Sequence, residues 1–336
     1  MKLLRSVFLV FIMAVCLGGA LRAHPAQTWN QENMAAEELY ARFGGEQDEI
    51  SPAQAVKLLH KLVNEERKKN GLQSLSWDYT AASAAQEHTE EMAKYRYLSH
   101  MNLLGEKPNE RYNRLGGTNQ VSENVSYRES NLRLYLTPQL VEDIHERWMG
   151  SAPHRRNILT RTHNAVGLAI TLRWDGTRSV LTAAEEFVGD YGAVSKLPLS
   201  AHFSDELRIN CELADEVVKF QYIAVGWEGQ PDRQTPSKLN SNLNGYSLPK
   251  PFVVMMSGSD ENARYLKGYP NLYTVTYQPS RGQVAARFSI EDVYRRLKEK
   301  TGSGTPKPGL YYITVWVSTP ESAPFIASTQ VISMTS

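Results

Sequence analysis

The chain has 336 residues, 41% of them apolar, and a formal net charge of +1. That length favours two domains over one, and the apolar share is enough to give each a core. The near-neutral balance excludes the broad electrostatic field that would draw nucleic acid or an acidic surface.

The first residues read as an export signal. Lys2 and Arg5 supply a basic start, residues 7–17 an apolar run, and Gly18, Gly19, Ala20 and Ala23 small residues for cleavage. As a helix, residues 7–20 would reach about 21 Å. A bilayer core needs about 30 Å, so no stable membrane span is expected. The reading is a secreted protein, periplasmic or extracellular, with signal 1–23. Without the signal, Cys211 is the one remaining cysteine, so no internal disulfide forms. Nothing in the sequence sets an oligomeric state.

Residues 24–50 read as a polar leader with a short helix from Ala35 to Phe43. Ser51-Pro52 is a helix start, a hydroxyl cap followed by proline at the first helical position. Val56, Leu59, Leu62 and Val63 follow on one face, and Asn70-Gly71 ends the helix. A second helix is predicted from about Asp78 to Tyr95. Residues 101–136 show no sustained period and read as a long loop. Thr137-Pro138 opens a third helix carrying Leu140, Val141, Ile144 and Trp148. The period then becomes two over 165–174 and 179–188, with Asp175-Gly176 as the turn. Helices followed by a hairpin predict an α+β unit over 51–191.

Residues 192–204 read as a linker. From 205 to 336 strands recur at 207–213, 217–227, 252–256, 272–277, 283–288, 311–317 and 325–332. One helix, from Ile290 to Lys300, is capped by Ser289. Many short strands between Pro and Gly turns predict a C-terminal β-sandwich domain. Tyr312 and Trp316 share a strand face that is expected to cover this helix.

Several motifs in the first unit form an ordered set. They are Asn64-Glu65-Glu66-Arg67, Gly71-Leu72, Leu75-Ser76-Trp77, an alanine-rich helix ending at Ser99-His100, Glu123-Asn124-Val125, Trp148, His154-Arg155-Arg156-Asn157-Ile158-Leu159 and Val166-Gly167-Leu168. In order and spacing this set resembles the bacterial secreted branch of the CAP superfamily (cysteine-rich secretory, antigen 5, pathogenesis-related 1), over about residues 52–191. The resemblance implies a three-layer α-β-α sandwich with a pocket built around two histidines and two acidic residues. His100 and Glu123 match two of those positions. Ser151 stands where other branches carry the second acid and Thr182 where they carry the second histidine, so His154 is the expected second imidazole. Strand alternation puts Glu186 on the face of Thr182, which makes it a candidate fourth member.

His100 and His154 are candidate ligands for a divalent metal such as zinc, with Glu123 as base for a bound water. The competing structural role for these histidines is to hydrogen-bond Glu123 and loop backbone. Asn124 is expected to make backbone bonds, and Arg155 to bridge a carboxylate or an anion. No Gly-x-Ser-x-Gly is present, and Ser99 adjoins His100 too closely in sequence for a triad. The function that follows is a secreted binding or interaction module. It would take a small apolar ligand or a protein partner in a cleft lined by His100, Glu123, Asn124, His154, Arg155 and Glu186. A metal-assisted, peptidase-like hydrolase is the alternative.

Overall fold

The computed structural model describes residues 27–30, 35–242, 245–258, 271–302 and 304–336; the expected signal 1–23 lies outside them. The first unit runs β1 (Gln27–Asn30), α1 (Ala36–Phe43), α2 (Pro52–Lys69), β2 (Ser76–Trp77), α3 (Tyr79–Tyr95), α4 (Pro108–Arg114), β3 (Gln120–Ser130), α5 (Pro138–Gly150), α6 (Ala152–Ile158), β4 (Ala165–Trp174) and β5 (Ser179–Gly189). The starts of α2, α3 and α5 follow local chemistry. Ser51, Asp78 and Thr137 each accept a backbone N–H of the first turn with their side chains, satisfying donors the helix cannot.

The strands form one sheet in the order β1-β3-β5-β4-β2. On one face α1, α2, α5 and α6 bury Leu39, Leu59, Val63, Ile144, Trp148 and Ile158 against Val166, Leu168, Leu181 and Phe187. On the other, Ala85 and Met92 of α3 pack on Val125, Ala169 and Ala184. The result is three layers of mixed α and β. Gly167 lets α3 approach this closely, since a Cβ there would sit 2.0 Å from the Ala82 nitrogen.

One expectation changes here. Residues 101–136 contain α4 and the eleven-residue β3, which pairs with β5 along its whole length. The short helix expected in the leader is α1, and its Leu39 and Phe43 are buried in the first core.

The remaining elements are β6 (Gly192–Val194), β7 (Ser200–His202), β8 (Leu207–Leu213), β9 (Lys219–Glu228), α7 (Pro236–Ser241), β10 (Pro251–Ser257), β11 (Asn271–Gln278), β12 (Gln283–Phe288), α8 (Ile290–Thr301), β13 (Gly309–Ser318) and β14 (Phe325–Thr335). The nine strands form one large sheet, β6-β8-β12-β11-β10-β9-β13-β14-β7. The expected linker therefore supplies its two edges, β6 and β7. The expected sandwich does not divide into two separately hydrogen-bonded sheets among the described residues.

One sheet face carries Val225, Val253, Tyr311, Ile313 and Val315, and α8 covers it with Ile290, Val293 and Leu297. Tyr312 lies on the reverse face, so it does not cover α8 as expected. Its hydroxyl sits 2.6 Å from Glu110 Oε1 and 2.5 Å from Glu228 Oε1. Burial raises the Glu110 pKa to about 7, against the pull of Tyr312 and Lys107. Asn113 extends the junction between the units, donating to the Thr329 carbonyl at 3.0 Å and accepting from Val331 N at 2.9 Å. Among the described residues no helix is long and apolar enough to cross a membrane.

Candidate functional site

β3 and β5 pair antiparallel with Glu123 opposite Glu186 and Asn124 opposite Glu185. Because side chains alternate along a strand, this register puts two carboxyls on the α3 face. Asn124 and Glu185 go to the face of α2, α5 and α6.

His100 reaches the carboxyls from the loop after α3. The left-handed Arg96 (φ 56°) turns the chain, and His88 in α3 fixes the loop by bonding the Ser99 carbonyl at 2.8 Å. His100 Nδ1 then lies 2.6 Å from Glu123 Oε1. From α4, Arg111 enters the same space. Its Nη1 donates to the His100 carbonyl at 2.7 Å and its Nη2 to Glu123 Oε2 and, at 3.3 Å, to Glu186 Oε1. His100, Arg111, Glu123 and Glu186 are each 2% exposed or less.

Charge in so dry a place must be compensated. Burial opposes the charge on Arg111, but Glu123 and Glu186 outweigh it and raise its pKa. Burial raises the Glu123 pKa despite Arg111. Burial, then the neighbouring Glu123, raises that of Glu186 well above the carboxylate range. The two acids face each other across the paired strands and share the Arg111 guanidinium. A single proton held by the pair would leave one negative charge opposite one guanidinium, which is how close carboxyl pairs relieve repulsion.

The site is closed by the connection between β9 and β10. Tyr246 packs edge-on against His100, with ring centres 5.4 Å apart. Its hydroxyl bonds the Glu123 backbone, and burial, then Glu123 and Glu186, keep it protonated. Leu239 of α7 is buried with Ala85, Met92, Tyr97, Leu98, Val125 and Ala184. Asn240 accepts from Leu98 N at 2.9 Å and donates to the Arg96 carbonyl at 3.0 Å. Gln234 N donates to the Leu103 carbonyl at 2.8 Å.

The reverse face is held together differently. Asn124 Nδ2 donates to the His154 carbonyl at 3.1 Å and to Glu185 Oε2 at 2.8 Å. Asn157 Nδ2 donates to Asn124 Oδ1 at 2.8 Å and to the Glu123 carbonyl at 3.2 Å. Among the described residues no cation balances Glu185, and burial raises its pKa to about 8.

Of the expected site residues, His100, Glu123 and Glu186 come together. Asn124 points to the opposite face, where it holds His154 by its backbone. Arg155 is exposed and donates to the Met149 carbonyl at 2.7 Å, closing the end of α5 rather than reaching a ligand. The expected metal centre is not assembled: among the described residues no three His, Cys, Asp or Glu side chains are grouped to hold an ion. The place between the carboxyls, where a cation would be drawn, is taken by the Arg111 guanidinium. Sequence reasoning missed Arg111 and Tyr246. The only local signal for Arg111 is Pro108 at the start of its helix, and Tyr246 has none. The Asn64 and Arg67 of the Asn-x-x-Arg motif are structural. Arg67 donates to the carbonyls of Gln73, Ile158, Thr160 and His163, and Asn64 accepts from Leu75 N.

Residues 60–191 match the CAP family, described as the cysteine-rich secretory protein family. A curated relative, the uncharacterized protein YkwD of Bacillus subtilis (strain 168), is 26% identical over 108 residues, which are 32% of this chain and 39% of the relative. Among solved structures, an outer surface protein of Borrelia burgdorferi is similar at 18% identity and a TM-score of 0.34. The match covers 41% of this chain and 96% of that one. An extracellular SCP-domain protein of Bacillus anthracis is similar at 21% identity and a TM-score of 0.31, covering 46% and 44%. A cysteine-rich secretory protein of Staphylococcus aureus is similar at 19% and 0.28, covering 42% and 40%.

Proposed function

Residues 60–191 make this chain a member of the CAP superfamily, and from that premise we propose a secreted binding module whose recognition cleft is floored by His100, Arg111, Glu123 and Glu186. The ligand class is a small apolar molecule or a partner's side chains. Secretion rests on the export signal read in residues 1–23, and the C-terminal sheet is proposed to act as a sandwich-like β unit that backs the cleft.

One observation carries the binding reading. The polar floor balances its own charge, and the volume above it holds an aromatic ring and a leucine against an apolar wall. Such a surface discriminates by shape and by one or two polar contacts, the usual design of a binding site. The metal-assisted hydrolase is the weaker reading, because its three-donor ligand set is not brought together among the described residues.

The test is equilibrium binding of a hydrophobic fluorescent probe to the full chain, beside elemental analysis and native mass spectrometry of the purified protein. Saturable probe binding, weakened by Met92→Glu in the cleft wall, supports the module. Stoichiometric zinc together with peptide hydrolysis that is lost in Glu123→Gln would overturn it in favour of the enzyme.

A further inference from the structure

We propose that the connection between β9 and β10 is a displaceable occupant of the CAP cleft. The ligand it stands in for is a polypeptide segment presenting a leucine and a tyrosine. This rests on the binding reading above and names its ligand class and its regulation.

The length of the connection is the first argument. β9 and β10 are adjacent and antiparallel, with Pro251 opposite Gly226. Two to five residues suffice for such a link. This chain uses the 22 residues between Glu228 and Pro251. Connections longer than about 12–15 residues are uncommon and are usually either functional or linker segments. Here the added length carries α7 and Tyr246 across to the other unit.

The contacts are the second argument. They are those by which a groove holds a peptide. Leu239 fills the apolar wall, and Tyr246 lays its ring on His100 with its hydroxyl on the Glu123 backbone. Asn240 pairs with the backbone of Arg96 and Leu98, and Gln234 N bonds the Leu103 carbonyl. Backbone bonds give affinity and side-chain pockets give choice in such recognition.

Most links between the two units lie outside the connection. The two units are also joined through Tyr312 with Glu110, Lys107 with Glu228, and Asn113 with Thr329 and Val331. None of these involves Gln234, Leu239, Asn240 or Tyr246. Lys107 also donates to the Ser247 carbonyl of the connection at 3.1 Å, so one bond is shared, but the contacts of Gln234, Leu239, Asn240 and Tyr246 can open without breaking the other links between the units. A ligand in trans must compete with it, so its apparent affinity falls by the fraction of molecules that are open.

The experiment uses the full chain and a fluorescent synthetic peptide with the sequence of residues 233–248. Wild type, Tyr246→Ala, Leu239→Ala and the double variant are titrated by anisotropy. Each is also digested briefly with chymotrypsin to find where the chain opens. Peptide binding is expected to tighten about tenfold or more in the double variant, with new cleavage confined to 229–250. Equal peptide affinity for wild type and the double variant would show a cleft that is not occupied in cis; that sinks this inference and leaves the binding module standing. A double variant that binds the hydrophobic probe but not the peptide sinks the ligand class alone. A double variant that binds neither sinks the binding module as well. Cleavage spread over the whole chain would make the connection an integral part of the fold and overturn the proposal.

Discussion

Glu185 and Glu186 are neighbours on β5, both fully buried, and they face opposite sides of the sheet. Glu186 lies beside Glu123 and the guanidinium of Arg111, and burial, then the charge of Glu123, raises its pKa. Glu185 has one amide donor, Asn124, where Glu186 has a guanidinium; each acid keeps a second oxygen with no partner among the described residues. The front face keeps an ion pair in place at the cost of desolvation, whereas the back face keeps an acid neutral. Only the front arrangement offers charge and directional donors to something entering from the α3 side. A buried acid is thus informative about function through its partners, not its burial.

The sharpest break of this comparison is Arg111→Met. It leaves the Glu123–Glu186 pair without its cation, and removal of one partner from a buried ion pair costs about 3–5 kcal/mol. Urea unfolding of the purified chain at pH 7 measures it. The loss is expected to shrink as pH falls, because both acids can then be protonated. A loss below about 1 kcal/mol would mean that the front face does not depend on its internal cation.

On the back face the matching change is Asn124→Ala. It removes the donor shared by Glu185 and the His154 carbonyl. A buried acceptor left unpaired costs about 1–3 kcal/mol, so this variant is expected to fall between Arg111→Met and wild type in the same unfolding series. An equal or larger loss than Arg111→Met would reverse the ranking of the two faces.

These faces also explain how far the sequence could be read. Capped helices with an apolar stripe were legible from Ser51-Pro52 and Thr137-Pro138. The alternating strands of the second unit were legible from runs such as Leu207, Ile209, Cys211 and Leu213. β3 was not, because both its faces are buried and Ser122, Glu123 and Asn124 interrupt its apolar positions, which erases the period-two signal. β6 and β7 have three residues each, too few to show a period. In the site, His100 and Glu123 were legible through the family motif, and Glu186 through alternation. Arg111 was invisible because nothing local separates a buried arginine from a surface one. Tyr246 was invisible because its contact with His100 spans two units. Arg155 was misread because a basic residue next to a site histidine looks functional until its carbonyl partner is seen.

A pH series sharpens the contrast. Glu185 has a pKa of about 8 in the folded chain against an ordinary 4.5, so the folded state holds its proton more tightly than the unfolded state. The stability tied to that proton is complete below pH 4.5 and is lost as pH rises through 8. Wild type is therefore expected to lose stability on the order of a few kcal/mol between pH 6 and 9. Glu185→Gln, an uncharged isostere of the acid, is expected to match wild type only near pH 4.5, to exceed it modestly at pH 6 and to exceed it most at pH 9. Parallel wild-type and Glu185→Gln curves across this range would show that the back-face acid does not titrate there.

The smallest expected effect tests where the site ends. Arg155 follows His154 in sequence, yet its side chain is exposed and bonds the Met149 carbonyl at the end of α5. A cation there interacts with the helix terminus, worth about 0.3–1 kcal/mol at an exposed position. Arg155→Ala is therefore expected to lower stability by no more than that and to leave probe or peptide binding unchanged. The paired control is His100→Asn, which removes the ring under Tyr246 and is expected to alter binding. If Arg155→Ala weakened binding as much as His100→Asn, the cleft would have to extend around the sheet edge to α6. Recognition would then belong to both faces, and the division drawn between Glu186 and Glu185 would fail.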